Sequence, residues 1–378
     1  MDRALSLAEA SVGLASPNPQ VGCVIVRDGV AIGEGAHFYD GYDHAEIVAL
    51  KTAVHDFHGA TAYVTLEPCS HHGRTGPCAD ALIAAEISRC VVATGDPNPG
   101  VNGSGIARMR AAGIAVEVGL LEERARRLND AFALSITRHR PFVTLKAALS
   151  VDGYLAPPPA LRSPDAAPFW LTGVAAREEV QRLRHASDAI LFGIGTVLAD
   201  DPLMTDRTGL PRRRPLMRVL LDSQLRVPLS AKVVQSARES GAEDLWIFCG
   251  PNAPADRRAA LEALGIKVSI VARIADGPTG LEPTEILAHL HVARLLSVLV
   301  EAGSAINGAF LGRNLVDRAI LFYAETELGP DALPFAAGMA GPFALEQRFI
   351  SVEKRMFGAD VRVSGLLHDP WPQPLVDP

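Results

Sequence analysis

A chain of 378 residues with 48% hydrophobic side chains is too long for one typical core and suits two domains, on a soft prior of about 150 residues each. Its net charge of −7 and pI near 5.9 argue against a nucleic-acid partner, which needs a basic face, and point to a small molecule. No apolar run reaches the roughly 18 residues that span a bilayer, and Met1 to Leu5 shows no basic region leading into an apolar core, so a soluble cytoplasmic protein without a membrane partner is expected.

Leu5, Ala8 and Val12 recur at helical spacing over residues 2–13, with Gly13 as the stop. Ser16-Pro17-Asn18-Pro19 reads as a turn. Residues 21–26 form an apolar strand, Asp28-Gly29 a hairpin turn and residues 31–35 a return strand, with Asn18 and His37 flanking the hairpin. Helix over 45–54, strand over 61–66, helix over 79–86 and strand over 90–94 complete an alternation typical of an α/β sandwich with its ligand loops at one end.

Five cysteines without a secretory signal do not suggest a disulfide framework. Cys23, Cys90 and Cys249 lie in apolar runs and read as buried strand thiols. Cys69 and Cys78 sit instead in a polar loop containing Gly and Pro, where packing gives a thiol no role. Upstream, His44 and Glu46 are two apart, which on a helix flank would point them about 200° from each other. They converge only at a helix tip, where the dipole also favours thiolate. Cys78 likewise precedes a helical stretch. One imidazole, two thiols and a carboxylate outside the ligand set are what a catalytic zinc site requires: three protein ligands, a fourth position for a water whose pKa falls toward roughly 7, and a proton carrier. The zinc-deaminase pattern H-x-E followed by P-C-x-x-C is met, except that eight residues separate the cysteines. A closed structural site with His71 or His72 as fourth ligand is the alternative.

Ser16-Pro17-Asn18-Pro19-Gln20-Val21-Gly22-Cys23, His44-Ala45-Glu46, Thr65-Leu66-Glu67-Pro68-Cys69-Ser70-His71-His72-Gly73-Arg74-Thr75 and Asp96-Pro97-Asn98-Pro99 together resemble the deaminase half of the bifunctional riboflavin-biosynthesis deaminase/reductase family. The resemblance implies a cytidine-deaminase-like α/β/α sandwich in which the long cysteine spacing is a family mark. It implies Zn2+ on His44, Cys69 and Cys78, proton transfer by Glu46, and Asn18, His37, His71 and Arg74 holding the base, ribose and phosphate of a diaminopyrimidinone. The fork of Arg74 matches phosphate oxygens.

Residues 120–136 read as an amphipathic helix closing the first domain, and residues 137–141 as a connector. A strand over 142–148 is followed by a proline-rich loop over 156–168, a helix over 177–184, and strands over 189–192, 217–222, 245–249, 296–301 and 319–323. No complete dinucleotide fingerprint is present, but the glycine turn after Glu301 follows a strand and opens a helix, so its amides could bind phosphate.

Residues 145–153, Leu183-Arg184, 195–202, Leu221-Asp222-Ser223 and Val300-Glu301-Ala302-Gly303 are similar to the reductase half of the same family. This implies a dihydrofolate-reductase-like α/β domain that takes hydride from NADPH. It implies cofactor at Trp170, Thr196, Asp200, Ser223 and the Gly303 turn, and substrate at Arg184, Arg207 and Glu301. The expected division is 1–139 for the deaminase and 140–378 for the reductase, in a homo-oligomer acting on a phosphorylated pyrimidine. Pro168 stands where the family has a substrate-contacting serine, and Ala324-Glu325 replaces its Ala-Pro. One rival reading therefore keeps the deaminase and makes the second domain degenerate. A scaffold with closed zinc, and a deaminase of nucleosides or of a tRNA base, are the others.

Overall fold

The computed structural model describes residues 1–52, 56–73, 75–158, 169–274 and 280–372. The chain forms two compact units: one from Met1–Arg140 with Pro211–Arg214 and the chain from Pro370, the other from Pro141–Leu210 and Pro215–Asp369. No helix among the described residues is long and apolar enough to cross a membrane.

In the first unit the elements run α1 (Asp2–Glu9), β1 (Gly22–Arg27), β2 (Val30–Ala36), α2 (Ala45–Thr52), β3 (Thr61–Val64), α3 (Cys78–Ala84), β4 (Arg89–Val92), α4 (Ser104–Ala111), β5 (Ala115–Val118) and α5 (Glu122–Arg138). The sheet order is β2-β1-β3-β4-β5, antiparallel across β2-β1-β3 and parallel from β3 to β5. Asp28 and Gly29 take φ of 51° and 77°, the paired positive values whose twist suits a two-residue hairpin. The helix expected to reach Gly13 ends at Glu9, and that expected over 45–54 is seen to Thr52, its last two residues lying outside the described ones.

Cross-strand partners set the layers. Cys23 opposes Gly35 on one face, where a Cβ on Gly35 would fall 2.2 Å from the Ala45 carbonyl of α2. Gly22 opposes Ala36 on the other, where its Cβ would fall 1.9 Å from the Ala4 carbonyl of α1. Helices therefore cover both faces at a distance only glycine permits, in the expected α/β/α arrangement.

The second unit runs β6 (Phe142–Leu149), β7 (Tyr154–Ala156), α6 (Val174–His185), β8 (Ala189–Gly193), α7 (Ile194–Asp200), β9 (Met217–Leu221), α8 (Lys232–Glu239), β10 (Leu245–Cys249), α9 (Ala255–Glu262), β11 (Lys267–Ile270), α10 (Pro283–Val292), β12 (Ser297–Val300), α11 (Ser304–Gly312), β13 (Arg318–Tyr323), β14 (Leu333–Pro334), α12 (Pro342–Glu346), β15 (Ser351–Phe357) and β16 (Asp360–Leu366). Nine strands form one sheet, β11-β10-β9-β8-β12-β6-β13-β16-β15, parallel as far as β13 and antiparallel beyond. Leu191, Val219, Phe248 and Val300 pack with Ile286 of α10 and Phe310 of α11 on one face, while Ile190, Phe192, Leu220 and Ile247 pack with Val233 of α8 and Leu261 of α9 on the other. That double cover explains why β8 and β10 are apolar throughout. β12 enters between β8 and β6, so strand order reverses there, and sheets of this kind bind ligands at the carboxyl ends beside such a reversal. Of the proline-rich loop, residues 159–168 lie outside the described ones.

Candidate active sites

His44 immediately precedes α2 and its carbonyl accepts the Val48 amide at 3.0 Å, so it caps the helix while Glu46 occupies the first turn. Cys78 opens α3. Two helix N-termini thus carry two of the three expected ligands, and Cys69 lies in the loop before the second. Nδ1 of His44 stands 3.2 Å from Sγ of Cys78 and 3.5 Å from Sγ of Cys69, and the three donor atoms lie within 4.8 Å of one another. A tetrahedral zinc with Zn–S of about 2.3 Å and Zn–N of about 2.0 Å sets N and S ligands about 3.5 Å apart, so the donor set fits the metal. The Cys78 thiol, His44 and the Cys78 amide draw the Cys69 thiol down to about 4, whereas sharing that proton and burial hold Cys78 far above the usual range. A proton held between two thiols is what a divalent cation displaces. His71 and His72 are exposed and outside this cluster, so among the described residues no fourth donor closes it.

Glu46 is 3% exposed, and burial pushes its carboxyl up to about 7 although His44 pulls the other way. A carboxyl poised there takes and returns a proton near neutral pH. His37 is also buried; its Nδ1–H donates to the Asp43 carbonyl at 2.8 Å, which leaves Nε2 to accept the Asn18 amide at 3.0 Å. The His37 ring meets that of His44 edge-on at 5.4 Å, so the Asn18–His37 pair adjoins the three-donor cluster. Arg74 lies outside the described residues.

One residue the sequence reading gave no role is Glu67. Its buried carboxylate accepts the amides of Asp96 (3.2 Å), Gly103 (2.9 Å), Gly105 (2.9 Å) and Ile106 (3.1 Å), three of them at the N-terminus of α4. A carboxylate is favoured there by both hydrogen bonding and the helix dipole. Gly105 lets the helix approach, since a Cβ would fall 1.9 Å from the Pro68 carbonyl. Glu67 thereby ties the Pro68-Cys69 turn to α4. Glu67→Ala strands these donors, and a loss on the order of 3 kcal/mol is expected in denaturant unfolding of the full chain. Asp96, beside this network, is pushed up to about 7 by burial.

In the second unit, Arg184 and Glu301, 117 residues apart, form a bidentate pair with Nε–Oε1 of 2.8 Å and Nη2–Oε2 of 3.0 Å. Nη1 of Arg184 donates to the Thr205 carbonyl at 3.0 Å, so this guanidinium anchors Glu301 and the 205 turn. Nζ of Lys146, on β6, stands 3.8 Å from Glu301. Burial draws the Lys146 ammonium below its usual range; burial also raises the Glu301 carboxyl, but the Arg184 and Lys146 cations outweigh it and hold it low. Lys146 had no assigned role in sequence, and the pairing with Glu301 supplies one. Arg207 is exposed, its amide donating to Gln181 Oε1 at 3.0 Å, and the preceding Asp206 meets His185 Nδ1 at 2.9 Å.

Thr196 lies in α7 just beyond β8, Ser223 just beyond β9, and Gly303 caps α11 just beyond β12, so three expected cofactor residues stand at the carboxyl ends of neighbouring parallel strands. Among the described residues a Cβ on Gly303 would meet nothing within 4 Å, and the buried Ser304 Oγ and Asn307 Oδ1 have no hydrogen-bond partner. Open backbone amides at the start of a helix with an orphaned hydroxyl fit the phosphates of a dinucleotide. Asp200 is exposed at the end of α7, and Trp170 is exposed with the Arg177 guanidinium 5.1 Å from its ring.

Residues 1–94 match the family model described as the cytidine and deoxycytidylate deaminase zinc-binding region, and residues 141–356 match the RibD C-terminal domain. The chain is 40% identical to the riboflavin biosynthesis protein RibD of Aquifex aeolicus over 87% of each chain, and 40% identical to that of Escherichia coli over 88% of each. It is similar in structure to Acinetobacter baumannii RibD, with a TM-score of 0.80, 36% identity and 97% of each chain covered. It is similar too to the Thermotoga maritima diaminohydroxyphosphoribosylaminopyrimidine deaminase/5-amino-6-(5-phosphoribosylamino)uracil reductase, with a TM-score of 0.79, 33% identity and 97% coverage of each.

Proposed function

The chain belongs to the RibD family of riboflavin-biosynthesis proteins, and from that membership and the two sites we propose the residue roles by which it works. It is a bifunctional enzyme: a zinc-dependent deaminase acting on 2,5-diamino-6-(5-phosphoribosylamino)pyrimidin-4(3H)-one, and an NADPH-dependent reductase converting the ribosyl to the ribityl side chain. The family match of the second half runs through residues 141–356, and nothing favours the degenerate-reductase reading. The working division is 1–139 and 140–378, with the excursions of the chain into the first unit noted above.

The observation that carries the deaminase assignment is the three-donor cluster with the buried Glu46 beside it. His44, Cys69 and Cys78 would hold zinc, which supplies Lewis acidity and an activated water. Glu46 accepts a proton as water adds to the amino-bearing carbon and returns it to the departing nitrogen, which leaves as ammonia. Asn18 and His37 hold the base and ribose, with His71 and Arg74 assigned to the phosphate.

For the reductase, Thr196, Ser223 and Gly303 at the strand ends would hold NADPH, which would supply hydride when bound, with Asp200 and Trp170 assigned to the same cofactor. Opening the ribosyl ring moves the glycosidic N–H proton to the ring oxygen and leaves a neutral carbon–nitrogen double bond, whose carbon takes the hydride while its nitrogen takes one proton. Lys146, made more acidic by burial, is the assigned proton donor, and Glu301 and Arg184 hold it in place beside the sugar. Arg207 is assigned to the substrate phosphate.

We place the protein in the cytoplasm as an assembly of like chains; support for the latter is β15, an edge strand whose Val352 and Met356 are exposed. Removal of zinc with a chelator tests the two-site reading. It is expected to abolish ammonia release and to leave NADPH oxidation on the already deaminated substrate intact. Loss of both activities together would count against separate sites.

A further inference from the structure

The stretch Pro211–Arg214 lies between α7 and β9 in sequence yet belongs to the first unit. The Arg213 amide donates to the Gly13 carbonyl at 2.9 Å and its Nε to the Ser16 carbonyl at 3.0 Å, while Nη2 of Arg214 donates to Ser16 Oγ at 3.3 Å. The same Arg213 guanidinium lies over the Tyr39 ring, 4.1 Å from its centroid, and 3.8 Å from the Asp40 carboxylate. Ser16 is two residues before Asn18, and Tyr39 is two residues after His37. One side chain therefore grips both segments that deliver the Asn18–His37 pair. Between α1 and β1 the chain has no regular structure, and after β2 it has a single turn at Tyr39–Gly41, so bonds of this kind set where the two segments stand. The Tyr39 amide, donating to the Leu14 carbonyl at 3.1 Å, adds a main-chain tie between them. Arg213 is 18% exposed, and its planar fork both stacks on Tyr39 and aims an N–H at Ser16, a combination lysine lacks.

We propose that Arg213 is a positioning residue of the deaminase: it fixes the separation of Asn18 and His37, and hence the surface that receives the phosphoribosylamino-pyrimidine, without touching substrate. The inference rests on the reading of Asn18 and His37 as substrate-holding groups. It also means that residues 1–140 alone lack a part of their own site.

The test uses the zinc-loaded full chain and steady-state ammonia release for R213A, R213K, N18A and the N18A/R213A double variant. R213A and R213K are expected to raise KM about fivefold or more with kcat changed less than about twofold, and the double variant to be no worse than N18A. Zinc content, and NADPH oxidation on deaminated substrate, stay as in the parent. A fall in kcat at unchanged KM, as partial unfolding would give, overturns the inference, as does unchanged kinetics or a double variant whose effects multiply. An unchanged KM for N18A would overturn the reading of Asn18, while Arg213 is still judged on its own KM.

Discussion

Glu46→Gln is expected to lower ammonia release by about 10²–10⁴-fold while zinc content and NADPH oxidation on deaminated substrate stay unchanged. The amide keeps the size and much of the hydrogen bonding of the carboxyl, so the fold of α2 is not at issue. What it removes is the group proposed to take a proton from water and pass it to the departing nitrogen. Burial poises that group, at about 7, to do both steps near neutral pH. Because Glu46 is not among the three donors, zinc should remain bound. Zinc content and ammonia release measured on one preparation check this; loss of zinc along with activity would place Glu46 among the ligands instead.

Glu301→Gln is expected to destabilise the second unit by about 3–5 kcal/mol and to abolish NADPH oxidation. Arg184 and Lys146 would then be buried without their counter-charge, and breaking one member of a buried ionic group is far more damaging than replacing the whole group. Unfolding in denaturant reads the stability term, but it leaves chemistry and folding entangled. Lys146→Met separates them. It keeps the bidentate Arg184–Glu301 pair and a stem of similar length, so the unit should fold, while reduction still fails for want of the proton donor. A Lys146→Met enzyme that reduces at the parent rate would remove Lys146 from the mechanism.

The meeting of His44, Cys69 and Cys78 was legible in the sequence because zinc chemistry restricts residue type: thiols in a polar loop and a His-x-Glu before an apolar helix have few other uses. The buried strands were legible for a related reason, since β8 and β10 are apolar throughout. Elements at the rim gave no such signal. β5 and β11 have only four residues each, too few for their alternation to stand out, β15 is almost wholly exposed, and α4 has only eight residues. Contacts between distant residues were also hidden. The resemblance implied substrate at both Arg184 and Glu301, but nothing in the sequence showed that these two side chains, 117 residues apart, pair with each other. Glu67 stood in plain view inside a recognised motif, yet its use depends on α4 arriving 36 to 39 residues later.

The central claim is that one chain deaminates and then reduces the same molecule. Ammonia release and NADPH oxidation followed together on the phosphoribosylamino-diaminopyrimidinone test it most directly. Ammonia should appear first, NADPH oxidation should follow after a lag, and the two should reach equal amounts. NADPH oxidation without ammonia, or complete ammonia release with no NADPH oxidised, would contradict the account.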